Sequence, residues 1–279
     1  MRLGYHLVNV FARDAARLSG NALCVFEPAE PLGTQTMLAL ARQFNLSETT
    51  FLGPSSRATA SVRIFTPAYE MPFAGHPTLG TAHVVRLLQG GDSLTLEMPA
   101  GIIPVTARGD AWTLTAAMPQ WREVELARAE LAAALGLAAA DLLDRPLWVN
   151  AGTEQLIVPL ASPEALARVQ PSSGSLPRLA NASRTAQVYI FAPQRDAVIA
   201  ARFFFQLGPG FAEDPATGSA CANLGGWFLA TGAPLPLQRT VLQGEQVHRP
   251  SRLDLSIDAE RHVRVGGDVI HLGRGELEL

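Results

Sequence analysis

Two short motifs place glycine and a polar side chain just before an apolar stretch. Gly75 and His76 lie in AGHPTLGTA, and Gly218 and Ser219 lie in ATGSACANL. The apolar runs that follow predict helices, so each motif is expected at a helix N-terminus, where unpaired N–H groups favour anions. Glycine lets a ligand approach the backbone closely. Two such helix starts facing one cleft would bind a carboxylate and stabilise the enolate-like charge left when a proton leaves the neighbouring carbon.

Proton transfer at such a site also needs an acid–base side chain, and the sequence offers four candidates: Glu48 in LSETTF, Glu70, His76 and Asp214. Glu48 and Asp214 lie in segments with few other charges, where desolvation is expected to raise the pKa of a carboxyl group. Three of these candidates, taken alone, also have a structural interpretation. Glu48 suits a turn, His76 suits a helix cap or a buried position, and Asp214 suits an N-cap.

The elements that would position these residues are two buried helices. The helix that starts near Pro77 and ends at Gly90 has apolar residues around most of its circumference, and so has the helix closed by Gly232. A helix that is apolar on all sides must be wrapped, and a curled sheet around each helix is an economical solution. The predicted fold class is therefore α+β, with two pseudo-symmetric lobes that each hold a mainly antiparallel sheet or barrel around a central helix.

Short alternating segments predict the strands of these lobes, an amphipathic helix is predicted at 34–44, and a further helix is predicted at 126–135. The N-terminal lobe is predicted to span residues 1–118 and the C-terminal lobe 119–267, with the last strand, about 268–279, able to pack back onto the first lobe. The sequence predicts a linker at Pro119–Arg122 and a turn at Gly266–Gly267.

Composition excludes several other classes of protein. The 279 residues have a net charge of −3 without a basic block, which argues against nucleic-acid binding. No apolar run is long enough to cross a membrane, and polar residues interrupt the N-terminal segment where a signal peptide would lie. The two cysteines, Cys24 and Cys221, are far apart in the chain, and the histidines have no metal-ligand spacing. We therefore expect a cytoplasmic protein without a disulfide or a metal site.

Five segments together resemble the PhzF-like proteins of phenazine biosynthesis, which belong to the diaminopimelate epimerase superfold. They span nearly the whole chain in order: FARDAARLSGNALCVF, LSETTF, FTPAYEMPFAGHPTLGTAHVV, EDPATGSA and GEQVHRPSRLDL. The blocks GHPTLGTA and DPATGSA are the specific ones. The resemblance implies two similar lobes with the active site between them, a homodimer, and no cofactor.

The resemblance also implies roles for individual residues. Glu48 matches the acid–base glutamate of the family, while His76 and Asp214 match its catalytic histidine and aspartate. Gly75, Gly218 and Ser219 match the substrate-binding positions at the two helix starts. The epimerases of the superfold have a cysteine at each helix start, whereas this sequence has His76 and Ser219, so epimerisation by two thiols is disfavoured.

The predicted function is a cofactor-independent isomerase that moves a proton on a small carboxylate or amino-acid-like substrate, with a dihydro-hydroxyanthranilate as one candidate. Three alternatives stay open at this point. The protein could bind a metabolite without catalysis, it could be an amino-acid epimerase or racemase, or it could be a hydrolase that uses Ser219 with His76. The last alternative lacks a nucleophile-elbow motif.

Overall fold

The computed structural model describes residues 1–13, 17–28 and 32–279. The chain divides into two compact units, of which unit 1 comprises Met1–Thr115 with Gly266–Leu279 and unit 2 comprises Ala116–Val265. The corresponding predicted boundaries are 118/119 and 267/268. One of the motif segments, FARDAARLSGNALCVF, crosses residues 14–16, which lie outside the described residues.

The described residues form five α-helices and seventeen strands. The helices are α1 (Thr34–Phe44), α2 (Gly75–Gln89), α3 (Arg128–Ala134), α4 (Pro163–Arg168) and α5 (Gly218–Ala230). The strands are β1 (Arg2–Ala12), β2 (Asn21–Phe26), β3 (Thr49–Gly53), β4 (Ala60–Phe65), β5 (Glu70–Met71), β6 (Ser93–Met98), β7 (Gly101–Arg108), β8 (Ala111–Thr115), β9 (Gln120–Glu123), β10 (Leu147–Asn150), β11 (Glu154–Pro159), β12 (Gln187–Pro193), β13 (Val198–Leu207), β14 (Gly210–Asp214), β15 (Leu237–Gln243), β16 (Ser251–Ile257) and β17 (Val263–Glu278). Two short 3-10 helices lie at Ala139–Asp141 and Ser173–Arg178.

The strands of unit 1 close into a barrel. β1 pairs with β2, β2 runs parallel to β3, and β3 pairs antiparallel with β4. β4 runs parallel to β6 through Ala60 and Ser61, and β6, β7 and β8 follow as antiparallel neighbours. The last strand, β17, pairs with both β1 and β8 and closes the ring.

The helix α2 occupies the inside of this barrel. All residues from His76 to Val85 are buried, and α2 contacts β1, β2, β3, β4, β6 and β8. Gly80 is needed for this fit, because a Cβ there would lie 2.6 Å from Leu23 and 2.8 Å from Val10. Burying a side chain such as Leu79 completely stabilises the fold by roughly 1.5–3 kcal/mol. The apolar sequence of α2 is thus explained by the wall that surrounds it.

Unit 2 repeats this plan. β9, β10 and β11 are antiparallel neighbours, β11 runs parallel to β12, and β12 pairs antiparallel with β13. β13 pairs with β14 through one half and runs parallel to β15 through the other, and β15 pairs with β16. The buried helix α5 contacts β9, β10, β11 and β16. Gly225 lets α5 approach this wall, because a Cβ there would lie 2.5 Å from Val263.

The structure confirms the α+β class and corrects two local predictions. Pro119–Arg122 is not a linker, because Gln120–Glu123 forms β9 and pairs with β10. Gly266–Gly267 is not a turn, because both glycines lie inside β17. A Cβ on Gly266 would lie 2.6 Å from the Trp112 carbonyl oxygen, so this glycine permits a close strand approach instead. Within the described ranges, no helix has the length and hydropathy needed to cross a membrane.

Candidate active site

Glu48 and His76 lie together in unit 1. Glu48 is the residue before β3, and His76 is the second residue of α2, inside the barrel. The Glu48 Oε2 atom lies 3.5 Å from His76 Nδ1, and only 16% of the Glu48 side chain and 7% of the His76 side chain are exposed. The structure therefore brings together two of the three predicted catalytic residues at the start of one buried helix.

Burial decides the charge of His76. Desolvation lowers the pKa of His76 to about 3, and a hydrogen bond with the backbone of Ala22 opposes this effect only in part. The ring is therefore neutral at neutral pH, and its contact with Glu48 is a polar contact between a carboxyl group and a neutral imidazole.

Two buried polar atoms next to Glu48 lack a hydrogen-bond partner among the described residues. They are Nε2 of His76 and Oγ1 of Thr49, the residue that follows Glu48. Buried polar atoms are nearly always paired in native proteins, and an exception calls for an explanation such as strain, a catalytic role or a bound water or ion. The residue before α2, Ala74, offers no side chain to cap the helix, so the N–H groups of Gly75 and His76 are not capped by a side chain at this position.

In unit 2, Asp214 ends β14 and lies beside the start of α5. The Thr217 hydroxyl donates a hydrogen bond of 2.5 Å to Asp214 Oδ2. A threonine before a helix usually accepts a hydrogen bond from the first turn, but Thr217 makes no such cap. The buried Gln243 explains the difference, since its Nε2 donates to both the Asp214 carbonyl oxygen and Thr217 Oγ1. Thr217 is thereby oriented towards Asp214 and away from the helix.

The other helix-start residues of unit 2 are Gly218 and Ser219. Gly218 is buried as the first residue of α5, and Ser219 is partly exposed. Ser219 Oγ accepts a hydrogen bond of 3.1 Å from Nε2 of Gln155. An amide is not a base, so this contact does not activate Ser219 as a nucleophile, and it gives the hydrolase alternative no support.

Glu70, the fourth candidate proton carrier, has a different role. Both of its carboxylate oxygens accept hydrogen bonds from Arg63, at 2.7 and 2.6 Å. Unit 2 has the same arrangement at Glu213 and Arg202, at 3.0 and 2.7 Å. Each pair joins the strand before the buried helix to its neighbour, so these glutamates stabilise the approach to α2 and α5.

The two thiols are buried and do not pair with each other. Burial raises the pKa of Cys24 to about 12 and raises the pKa of Cys221 above its ordinary value as well. Thiolates are the reactive form of cysteine, so neither residue is suited to proton transfer. The described part of the chain holds no group of three or more His, Cys, Asp or Glu side chains arranged to bind a metal ion.

The strand register relates each site residue of unit 1 to one in unit 2. Thr49 pairs with Phe65 on β4, and Val188 pairs with Phe204 on β13, so Glu48 corresponds to Gln187. The hairpins that precede α2 and α5 give two further pairs of equivalent residues. Met71 corresponds to Asp214, and His76 corresponds to Ser219.

The sequence predicted the helix-start residues but missed Gln155 and Gln243. Each is 1% exposed, and each orients a hydroxyl group at the start of α5. The available signal for Gln155 was a glutamine directly before the apolar run LIVP in EQLIVP. Gln243 gave no such signal, because LQRTVLQ also contains Gln238, Arg239 and Thr240. A buried amide needs partners, and here those partners are the site residues.

The chain is similar to known isomerases over most of its length. An isomerase of Pasteurella multocida, named as uncharacterized, is 39% identical and covers 98% of this chain and 93% of its own length. The trans-2,3-dihydro-3-hydroxyanthranilate isomerase of Pseudomonas aeruginosa is 35% identical over 89% of this chain and 88% of its own length. The crystal structure of a PhzF-family phenazine biosynthesis protein from Bacillus anthracis has the same fold, with a TM-score of 0.88 at 24% identity over 100% of both chains.

The expected family is confirmed at the level of the whole sequence. The matching region runs from residue 8 to residue 275 and includes both helix-start motifs and the Glu48 segment. With residues 8–275 matched, the chain belongs to the family of phenazine biosynthesis-like proteins, PhzC-PhzF.

Proposed function

We propose that this isomerase moves a proton between two carbon atoms of a small carboxylate, with Glu48 as the group that carries the proton. His76 and Asp214 orient or assist, and Gly75, Gly218 and Ser219 bind the substrate. The observation that supports this proposal most is the contact of 3.5 Å between the Glu48 carboxylate and His76, whose pKa burial lowers to about 3.

A neutral histidine is the better partner for a proton carrier. The carrier must accept a proton in one half of the reaction and return it in the other. A charged imidazolium at this distance would favour the carboxylate form of Glu48 and hinder its protonation. A neutral ring accommodates both forms of Glu48, so the pair suits an acid–base cycle on one carboxyl group.

The helix starts suit the charge of the substrate and of the intermediate. Removing a proton next to a carboxylate adds negative charge that the site must stabilise. The N-termini of α2 and α5 supply partial positive charge, and neither has a side-chain cap at its N-cap residue.

The names of the relatives support a proposal for the substrate class. Several relatives are named trans-2,3-dihydro-3-hydroxyanthranilate isomerases, and two of these cover 99% of this chain at 32% identity. We propose the same class for this chain, namely a cyclic acid with neighbouring amino and carboxylate groups. We also propose that catalysis needs no cofactor or metal, that the protein is a homodimer and that it is cytoplasmic. Activity after metal removal by chelation tests the independence from metal, and light scattering tests the homodimer.

The deciding experiment measures proton transfer directly. The enzyme is incubated in D2O with trans-2,3-dihydro-3-hydroxyanthranilate, and mass spectrometry follows deuterium in the product. Wild type should form product, and Glu48→Gln should fold normally while its turnover falls by at least about a hundredfold, as is typical for loss of a general acid–base group. Full activity of Glu48→Gln would exclude this role.

Glu70→Gln is the matched control, because it makes the same change in the same unit at a glutamate whose carboxylate is bound by Arg63. It should retain turnover. A protein that binds the acid but forms no isomerised product above background, with or without deuterium, would be a binder and not an isomerase.

A further inference from the structure

The hydroxyl of Ser219 receives a hydrogen bond from a buried amide. Gln155 lies on β11 and is 1% exposed. Its Nε2 donates one hydrogen to Ser219 Oγ at 3.1 Å and the other to Gln187 Oε1 at 3.2 Å. Both N–H groups of Gln155 are therefore used inside unit 2.

Backbone atoms fix the orientation of this amide. On α5, one turn after Ser219, Asn223 accepts a hydrogen bond of 2.7 Å from the Ala151 N–H, which can only donate. The Asn223 Nδ2 donates 2.9 Å to the Thr153 carbonyl oxygen, which can only accept, and 2.8 Å to Gln155 Oε1. The nitrogen and oxygen of Asn223 cannot exchange places without losing both backbone partners. The oxygen of Gln155 must therefore face Asn223, and its nitrogen must face Ser219.

We infer that Gln155 is a positioning residue that directs the hydroxyl proton of Ser219 away from itself and towards the substrate. This inference rests on the proposed function, in which Ser219 binds substrate. Because Gln155 occupies an acceptor site of Ser219 Oγ, the serine proton points elsewhere. The hydrogen bonds of the described residues include no acceptor for that proton, and Ser219 is partly exposed.

A donor with a fixed direction selects the chemistry of its ligand. A serine free to rotate can donate or accept, so it tolerates an ammonium or amide nitrogen as well as an oxygen. Ser219 held by Gln155 favours an oxygen that only accepts, such as that of a carboxylate or an enolate. Specificity of this kind arises because the wrong group leaves a polar atom unpaired.

The test is a double-mutant cycle on binding. Calorimetry measures the Kd of anthranilate, benzoate and pyrrole-2-carboxylate for wild type, Gln155→Met, Ser219→Ala and the double variant. Losing a hydrogen bond to a charged oxygen should weaken binding about ten- to hundredfold in Ser219→Ala. Gln155→Met should weaken binding severalfold or more in the wild-type background and should have no further effect when Ser219 is absent, because Gln155 acts through Ser219.

If the affinity losses of Gln155→Met and Ser219→Ala multiply in the double variant, the two residues act independently. That result would overturn the inference, since Gln155 would then have a structural role only. Gln238→Met, the same change at an exposed position of β15, is the control and should leave every Kd unchanged. Wild type that binds none of the three carboxylates would also overturn it. Turnover of the dihydro acid is measured separately, so loss of the proposed reaction with intact binding leaves this inference standing.

A second measurement needs no variant and applies even if Gln155→Met does not fold. Neutron diffraction from crystals exchanged into D2O should show both deuterium atoms of Gln155 Nε2 directed at oxygen atoms, one of them Ser219 Oγ. The hydroxyl deuterium of Ser219 should point away from Gln155. A hydroxyl deuterium directed at Gln155 would overturn the inference.

Discussion

Acid should destabilise the protein through His76 well before its carboxylates titrate. In the folded state burial lowers the pKa of His76 to about 3, whereas the unfolded chain has the ordinary value of 6.5. Between these values the unfolded chain binds a proton that the folded chain does not. The free energy of unfolding therefore falls as the pH drops below 6.5, and the contribution of His76 is fully present only above that value.

The size of the effect follows from the two pKa values. Each pH unit within the window is worth about 1.4 kcal/mol for one group. From pH 7 to pH 5 only the unfolded state protonates appreciably, so His76 alone should lower the free energy of unfolding by about 2 kcal/mol. That is a large part of a typical domain stability of about 5–15 kcal/mol.

The assay is urea unfolding followed by circular dichroism at pH 7 and pH 5, for wild type and His76→Gln. The variant should be less stable at pH 7 because the buried site is altered, but it should lose about 2 kcal/mol less than wild type on going to pH 5. His83, whose pKa burial also lowers, to about 4, contributes equally to both proteins and cancels in the difference.

An exposed histidine provides the matched control. His248→Asn replaces a histidine outside the core, at a φ of 56° that asparagine tolerates, and should keep the pH dependence of wild type. If wild type and His76→Gln lose the same free energy between pH 7 and pH 5, then His76 is not held neutral by burial. Glu48 would then not lie beside a neutral ring, which would contradict its proposed role as the proton carrier.

Three further substitutions test other parts of the structure. Thr217→Val removes the hydroxyl that donates to Asp214 and should lower kcat/KM about tenfold or more, with unchanged circular dichroism, as expected for a lost hydrogen bond to a charged group. Gly80→Ala should destabilise by about 1–3 kcal/mol in urea unfolding, because its Cβ would lie 2.6 Å from the nearest side-chain atom. Arg202→Met leaves the buried carboxylate of Glu213 unpaired and should cost about 3–5 kcal/mol, and an unchanged thermal midpoint would contradict this.

The buried helices were predictable because their signal is local. The apolar circumference of α2 and α5 can be read from consecutive residues, and it implies a surrounding wall. β9 was not predictable, because its four residues are all exposed and its partner β10 lies more than twenty residues later in the chain. The turn predicted at Gly266 was wrong because glycine is typical both of turns and of strands whose backbones approach closely. Only the position of the Trp112 carbonyl oxygen distinguishes these two cases here.

The residues of the candidate site that stand in short motifs could be predicted from the sequence. The residues that reach the site from distant strands could not. Gly75, His76 and Gly218 stand in compact blocks, and the structure places all three at helix starts. Gln155 and Gln243 act on residues 64 and 26 positions away. No spacing rule covers such distances, and the only available sign, a glutamine directly before the apolar run of EQLIVP, concerns Gln155 alone.

The two units differ in their side chains at equivalent positions, and this difference indicates the type of isomerase. A racemase that works from both faces of a carbon needs a titratable group at equivalent positions of both units. In this chain Glu48 corresponds to Gln187 and His76 corresponds to Ser219, so unit 2 has an amide and a hydroxyl where unit 1 has acid–base groups. Neither the amide of Gln nor the hydroxyl of Ser ionises near neutral pH. At these two pairs of equivalent positions the acid–base groups therefore stand in unit 1 only, which agrees with the proposed single carrier that moves a proton between two carbons.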